Sequence, residues 1–321
     1  MIRTGFPTVG PTLASVGEHA VIDAIVRASP SPINGDDAAV LTPSTPNSRV
    51  VAATDMLVEG RHFRADLTTP EFVGRKAVVQ NFADIEAMGA RPIAALLAIA
   101  APPEMPLAVI EGLARGVGQA TADYSTELVG GDVTQSDQLV VSVAAIGSLG
   151  GNRDPLSLDH ARPGQRVVAH GDIGYSAAGF ALLNAGVRIP EALEPLVHAH
   201  QVPRLTPGRG VVARAAGATA MTDNSDGLIR DLSQIATHSK VGIDLSSLAI
   251  APDDLLRKAG ELLEQDPWEW VLTGGEDHTL LGTCDGSAPV GFRSIGRVTR
   301  TGQVLIDATA PHYTNGWESF G

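Results

Sequence analysis

The apolar residues of this chain fall in short runs, such as Val50–Ala53, Ala94–Ala100 and Leu139–Ile146, divided by longer segments with helical spacing. Short apolar runs read as buried strands, and apolar residues three to four apart read as one face of a helix. Glu18 to Ala28 sets Val21, Ile22, Ile25 and Val26 at helical intervals. Pro70 opens a second such segment, with Val73, Ala77, Val78, Phe82, Ile85 and Met88 on one broad face, until Gly89-Ala90-Arg91-Pro92 stops it. Leu107 to Ala122 repeats the pattern, and Ala38–Leu41 reads as a further strand. Strand, helix, strand, helix, strand is the order of a mixed α/β half.

Gly147-Ser148-Leu149-Gly150-Gly151-Asn152-Arg153-Asp154-Pro155 changes the composition, and the domain boundary is expected there, dividing the chain into residues 1–149 and 150–321. The second half begins with a turn at Arg162–Gln165 and a strand from Arg166 to Ala169. Gly171-Asp172-Ile173-Gly174 then leads into a helix over Tyr175–Ala185, as a tight strand-to-helix turn or, alternatively, as a place where backbone N–H groups meet an anion. A strand around Ala218–Met221 and a helix from Gly227 to Thr237 follow. Further strands are expected at Trp270–Leu272 and Leu280–Gly282, and closing strands at Ser294–Arg297 and Val304–Ile306. Two α/β halves, each with its own acidic turn, suggest a site that both of them build.

Four short acidic stretches punctuate these elements: Gly35-Asp36-Asp37, Ala53-Thr54-Asp55, Gly130-Gly131-Asp132 and Thr222-Asp223-Asn224-Ser225-Asp226. Most of these carboxylates follow Gly or end an apolar run, which is expected to put them at strand ends and turns. Taken singly, the Gly-led pairs read as solvated turns, and Asp223–Gly227 reads as a helix cap made by Ser225 or Asp226. Asp84 is less ordinary, because it interrupts an apolar helix face and needs a partner or a metal if buried. Carboxylates brought together repel one another unless cations neutralise them. Hard oxygen donors of this kind suit magnesium, which is commonly shared with a substrate phosphate. Taken jointly, they point to a metal-dependent phosphoryl site.

Composition narrows the choice. The formal charge of −13, from 36 acids against 23 bases, argues against nucleic acid or an anionic membrane as partner. An anionic substrate then requires bound cations to reverse the local field. Cys284 is the only cysteine, so no intrachain disulfide forms. With no signal-peptide core at the N-terminus and no apolar run long enough to span a bilayer, a cytoplasmic protein is expected. Neither a Gly-x-x-x-x-Gly-Lys loop nor a nucleophile elbow is present. His198-Ala199-His200 resembles a zinc pair only superficially, since two-residue spacing on a helix splays the rings, and it is expected on the surface.

The longer motifs carry a resemblance. Gly35-Asp36-Asp37-Ala38-Ala39-Val40-Leu41, Thr54-Asp55-Met56-Leu57-Val58-Glu59-Gly60-Arg61-His62-Phe63 and Gly74-Arg75-Lys76-Ala77 resemble the thiamine-monophosphate kinase family. So do Asn81 to Ala90, Gly130-Gly131-Asp132, Ser225-Asp226-Gly227-Leu228 and Gly274-Gly275-Glu276-Asp277, in order, from about Gly35 to Trp317. The resemblance implies the two-domain α/β fold of the wider aminoimidazole-ribonucleotide-synthetase-like superfamily, with the N-terminal domains of a homodimer forming a shared β-barrel. It implies phosphorylation of thiamine monophosphate by ATP, with residues 1–149 binding metal and ATP and residues 150–321 completing the substrate site. By position, Asp37, Thr54, Asp55, Asp84, Asp132, Asp223 and Asp226 would hold several magnesium ions. Gly131, Asp132 and Ser225 would meet ATP, and His62, Glu276 and Trp317 would line the acceptor pocket. No residue is implied as a general base; Asp55 and Asp84 would be critical through the metal.

The family usually has Arg where this chain has Leu158, so Arg153 or Arg162 is a candidate substitute. His278-Thr279 likewise replaces a commoner Tyr-Glu after Gly-Gly-Glu-Asp. Two other readings compete with the kinase. One is a different ATP-dependent synthetase of the superfamily; selenophosphate synthesis is disfavoured because it normally uses an N-terminal Cys or selenocysteine. The other is a non-catalytic nucleotide or metal scaffold, which need not keep Asp37, Asp55, Asp84 and Asp132 together.

Overall fold

A computed structural model describes residues 4–33, 38–39, 41–42 and 46–316. The chain separates into two compact units, Arg3–Ile85 with Arg91–Asn152, and Met1–Ile2 and Glu86–Ala90 with Arg153–Gly321. The first unit contains α1 (Leu13–Val16), α2 (Glu18–Ala28), β1 (Arg49–Val58), α3 (Pro70–Ala87, whose last turn groups with the second unit), β2 (Arg91–Ala101), α4 (Leu107–Asp123), β3 (Leu128–Gln135) and β4 (Val140–Leu149). The strands form one sheet in the order β1-β4-β2-β3, antiparallel except for the parallel β2–β3 pair.

Burial alternates along β4, where Val141, Val143 and Ala145 are buried between half-buried neighbours, as expected of a strand with one face to a core. The opposite face of the sheet is open: Val50, Met56 and Leu96 are 69%, 55% and 37% exposed. α3 is buried on most sides, and its crossing of α4 needs Gly74, where a Cβ would stand 2.1 Å from the carbonyl oxygen of Leu113. Ala38, Ala39 and Leu41 belong to no strand, contrary to the expectation for that run, and Val40 lies outside the described residues. A run of four small apolar residues is too short to settle its own structure without a pairing partner.

The second unit contains β5 (Arg166–His170), α5 (Tyr175–Asn184), α6 (Glu194–Gln201), α7 (Arg209–Ala215), β6 (Ala218–Asp223), α8 (Leu228–Ser239), β7 (Gly242–Leu245), α9 (Asp254–Leu263), α10 (Pro267–Thr273), β8 (Leu280–Cys284), β9 (Arg293–Thr299) and β10 (Val304–Ile306). Its sheet runs β10-β7-β9-β5-β8-β6, with only β10–β7 parallel. Val167, Leu196, Leu228, Leu232, Ile243 and Trp270 are among the buried residues of its core. Burying each large side chain contributes roughly 1.5–3 kcal/mol.

Trp270–Leu272 is helical, not a strand. Pro267 takes the first helical position and the Asp266 carboxylate accepts the Trp268 N–H at 3.0 Å, so capping decides a run that apolarity left ambiguous. Glu86 is fully buried, and its carboxylate takes the N–H groups of Gly208 (2.5 Å) and Gly210 (2.6 Å) at the start of α7. Burial pushes that carboxyl up to about 7 against the pull of both N–H groups. Among the described residues, no helix is long and apolar enough to cross a membrane.

Candidate active site

In the first unit, Thr54 and Asp55 lie in the middle of β1, and Gly131 and Asp132 lie inside β3. The expectation of strand ends and turns fails for both. Two adjacent glycines suggest a turn, yet the backbone here is extended, and a Cβ on Gly131 would meet the Leu97 carbonyl oxygen at 1.8 Å. Glycine is required by the close approach of β2.

Asn81 ties the backbone of β1 to α3. Its Oδ1 accepts the Asp55 N–H at 2.8 Å, and its Nδ2 donates to the Ala77 carbonyl at 2.8 Å, which fixes the amide's orientation. The Ser142 hydroxyl donates to the Asp55 carbonyl at 3.1 Å, and the Thr54 hydroxyl donates to Val143 at 3.0 Å. Asp84 follows Asn81 by three residues on α3, on the same helix face, and is half-buried rather than enclosed. Asp132 is exposed. Because β1 and β3 are the two edges of the sheet, Asp55 and Asp132 stand three strand spacings apart, about 14 Å. His62 lies in the turn after β1, where its Nδ1 accepts the Val58 N–H at 3.1 Å while buried Lys76 donates to its carbonyl at 3.2 Å. Asp37 and Trp317 lie outside the described residues.

In the second unit, β6 delivers Asp223 at its end, and a loop over Asn224–Gly227 enters α8. Neither Ser225 nor Asp226 caps that helix. Asp231 does the work from inside it, accepting the N–H groups of Asp226 (3.1 Å) and Gly227 (3.0 Å) on one oxygen. That releases Ser225, whose hydroxyl donates to Asp223 Oδ1 at 3.0 Å, and leaves Asp226 paired with Arg230 at 3.2 Å.

The turn Gly274–Thr279 is stitched to this loop. Glu276 N–H donates to Ser225 (2.8 Å), His278 N–H donates to Asn224 (2.9 Å), and Asn224 N–H donates to Thr279 (2.8 Å). Gly275 lies so close that a Cβ would sit 2.4 Å from the Ser225 carbonyl oxygen. Buried Asp277 accepts the N–H groups of Gly174 (2.6 Å) and Ser176 (2.8 Å), with Asn224 Nδ2 at 3.3 Å. The backbone N–H groups at the start of α5 are thus met by a side chain of the protein itself. Beside the turn opens a cavity of about 470 Å³ whose lining includes Asp172, Tyr175, His198, Arg204, Asp277 and Thr279.

Electrostatics in this cluster run one way. Burial raises the carboxyl of Asp226, with Asp223 and Glu276 adding to the effect against Arg230. Burial together with Asp223 and Asp226 pushes Asp231 up to about 8. Burial pushes Asp277 up to about 7 against the N–H groups of Ser176 and Gly174. Like charges crowd here, and a divalent cation would relieve them. Among the described residues no three His, Cys, Asp or Glu converge tightly enough to cage a metal alone. This donor set still fits magnesium, which takes one or two carboxylates and completes its shell with water and substrate phosphates.

Other expected residues lie elsewhere. Arg153 donates to the carbonyls of Arg214 (3.1 Å) and Ala215 (2.8 Å), and Arg162 pairs with Asp285 at 3.0 Å. Both line a groove with Ala218 and Thr219 at the opposite end of β6 from Asp223, about 17 Å along the strand. Neither is placed to serve beside Asp223. His198 and His200 are half-buried rather than on the surface; His200 Nδ1 lies 3.1 Å from the Ser176 hydroxyl and its ring packs on Phe180. Sequence patterning does not reveal the roles of Asp231 and Asp277, because each depends on backbone groups that only the fold brings near.

Comparison with known proteins fits this arrangement. Residues 35–149 match the family of AIR synthase related protein, N-terminal domain. The chain is 59% identical over 316 residues to the thiamine-monophosphate kinase of Corynebacterium glutamicum, covering 97% of this chain and 96% of that one. It is 46% identical to the thiamine-monophosphate kinase of Mycobacterium tuberculosis, over 98% of this chain and 95% of the relative. The solved structure of AaThiL complexed with AMPPCP and TMP superposes with a TM-score of 0.76 at 31% identity, covering 95% and 97% of the two chains. With a mixed α/β fold of two sheets and identity of this extent over nearly its full length, the chain belongs to the thiamine-monophosphate kinase family.

Proposed function

We propose that this chain transfers the γ-phosphoryl group of ATP directly and in line to thiamine monophosphate, giving thiamine diphosphate. The observation that carries this reading is the 59% identity over 97% of the chain to a thiamine-monophosphate kinase. The AMPPCP and TMP held by AaThiL support the same pair of substrates here. The acceptor is a phosphate monoester with a second pKa of about 6, so it is largely dianionic at pH 7. A nucleophile already deprotonated needs no general base. The barrier then lies in bringing two polyanions together and holding them in line. When bound, magnesium supplies the positive charge that offsets the phosphoryl oxygens.

The residues of this chain would hold and orient. Asp37, Thr54, Asp55, Asp84, Asp132, Asp223 and Asp226 are the proposed metal ligands, with Gly131, Asp132 and Ser225 toward ATP. His62, Glu276 and Trp317 are proposed for the acceptor, where Trp317 facing the cationic thiazolium would contribute about 0.5–2 kcal/mol. We place metal and ATP binding in residues 1–149 and completion of the acceptor site in residues 150–321.

A homodimer with a shared β-barrel is part of the same reading. Its support is the open apolar face of the four-stranded sheet at Val50, Met56 and Leu96, beside two edges, β1 and β3, that pair with no further strand among the described residues. Asp55 and Asp132 stand about 14 Å apart in one chain, too far to share one ion directly, and a second copy supplying one of them would bring them together. The deciding experiment is ADP release across free thiamine, thiamine monophosphate and other phosphorylated acceptors, with and without magnesium. Turnover should require magnesium and thiamine monophosphate together; activity on free thiamine and none on its monophosphate refutes the assignment.

A further inference from the structure

We infer that His278 is a positioning residue for Asp223, locking the carboxylate in the orientation in which it takes up a divalent ion. The inference rests on the reading of Asp223 as a magnesium ligand. His278 Nδ1 lies 3.2 Å from Asp223 Oδ2, and the two side chains are only 3% and 9% exposed. A carboxylate that ligates a cation has no proton to give, so in that role Nδ1 would carry the hydrogen and donate. Ser225 donates to the other oxygen, Oδ1, at 3.0 Å. With a donor on each oxygen the carboxylate is held against rotation, and each oxygen keeps a lone pair for a cation. Groups that orient metal ligands in this way typically change affinity or activity by about 10–100-fold.

The backbone marks the same residue. His278 and Glu276 both adopt left-handed conformations, φ 48° and φ 68°, which non-glycine residues avoid unless their surroundings hold them there. The surroundings are the hydrogen bonds between Asn224 and the backbone of His278 and Thr279, at 2.9 and 2.8 Å. The strained turn therefore brings the imidazole to Asp223 from the one segment already tied to the Asp223 loop.

The test compares the full chain with His278→Leu, which removes the donor, and His278→Asn, whose side-chain amide can replace Nδ1. Manganese binding is read by electron paramagnetic resonance with a non-hydrolysable ATP analogue and no acceptor, alongside thermal unfolding. His278→Leu should weaken manganese binding about 10–100-fold, and His278→Asn should stay within about threefold of the parent. In turnover, His278→Leu should raise the magnesium requirement more than it lowers kcat. Parent-like affinity in His278→Leu, or equal loss in both variants, overturns the inference. If His278→Leu fails to fold, His278→Gln stands in, since its amide sits one carbon too far out; equal binding by the Asn and Gln variants overturns the inference. A parent that binds no manganese removes the reading of Asp223 itself, whereas a binding parent with an unaffected Leu variant removes only the role of His278.

Discussion

Replacing Asp277 by Asn should change the protein's stability by an amount that depends on pH, with a sign the structure dictates. The carboxyl is buried, and burial outweighs the N–H groups of Ser176 and Gly174 to push it up to about 7. In the unfolded chain it would titrate at about 3.9. Between these values the folded protein holds a proton that the unfolded chain has lost, so the folded state is favoured at low pH and loses that advantage as pH rises toward 7. The full difference corresponds to about 4 kcal/mol between about pH 4 and pH 7, as an upper bound. Asn resembles the protonated acid in shape and does not titrate. Asp277→Asn should therefore lie below or near the parent at about pH 4.5, then gain on it by up to about 4 kcal/mol by about pH 7.5. Trp268 and Trp270 lie on α10 of the second unit, so urea unfolding followed by tryptophan fluorescence reports on this region. Comparing parent and variant at each pH cancels the other titrating groups, including Glu86 and Asp231. A difference that stays flat, or that moves against the variant as pH rises, would mean that the N–H groups keep Asp277 ionised and that the argument from burial is wrong.

Other outcomes test the proposed chemistry. Asp55→Asn or Asp84→Asn should lower turnover at least about tenfold, a barrier increase of about 1.4 kcal/mol, in the ADP-release assay at saturating substrates; a double Ala variant with parent-like turnover would favour a non-catalytic scaffold. Trp317→Ala should chiefly raise KM for thiamine monophosphate, and an unchanged KM removes Trp317 from the pocket. Met56→Asp, on the open sheet face, should shift sedimentation from dimer toward monomer and lower activity with it; an unaltered dimer would place the interface elsewhere.

Several elements are legible in the sequence because local pattern and fold agree there. The helical face from Val73 to Met88, the strand over Ala94–Ala100 and the strand ending near Ile146 each carry a period long enough to outvote alternatives. The motifs around Asp55, Asp84 and Asp223 stand out in the sequence because carboxylates at this density, if brought together, call for cations, and it is on that ground that they are proposed as ligands. Short or glycine-rich runs are not. Gly130-Gly131-Asp132 reads as a turn and is part of a strand, because its pairing with β2 comes from a segment more than thirty residues away in the chain. Trp270–Leu272 reads as a strand and is a helix, because its fate rests on Asp266 and Pro267 just before it.

By itself the sequence determined the mixed α/β character and the family, since these depend on residue type and on order along the chain. Tertiary structure decided which carboxylates orient and which are oriented. Asp277 meets Gly174 and Ser176 across about a hundred residues, and His278 meets Asp223 across 55. Such pairings are set by where strands end and how tightly turns close, and hydrogen bonds of that reach leave no periodic trace in a linear chain.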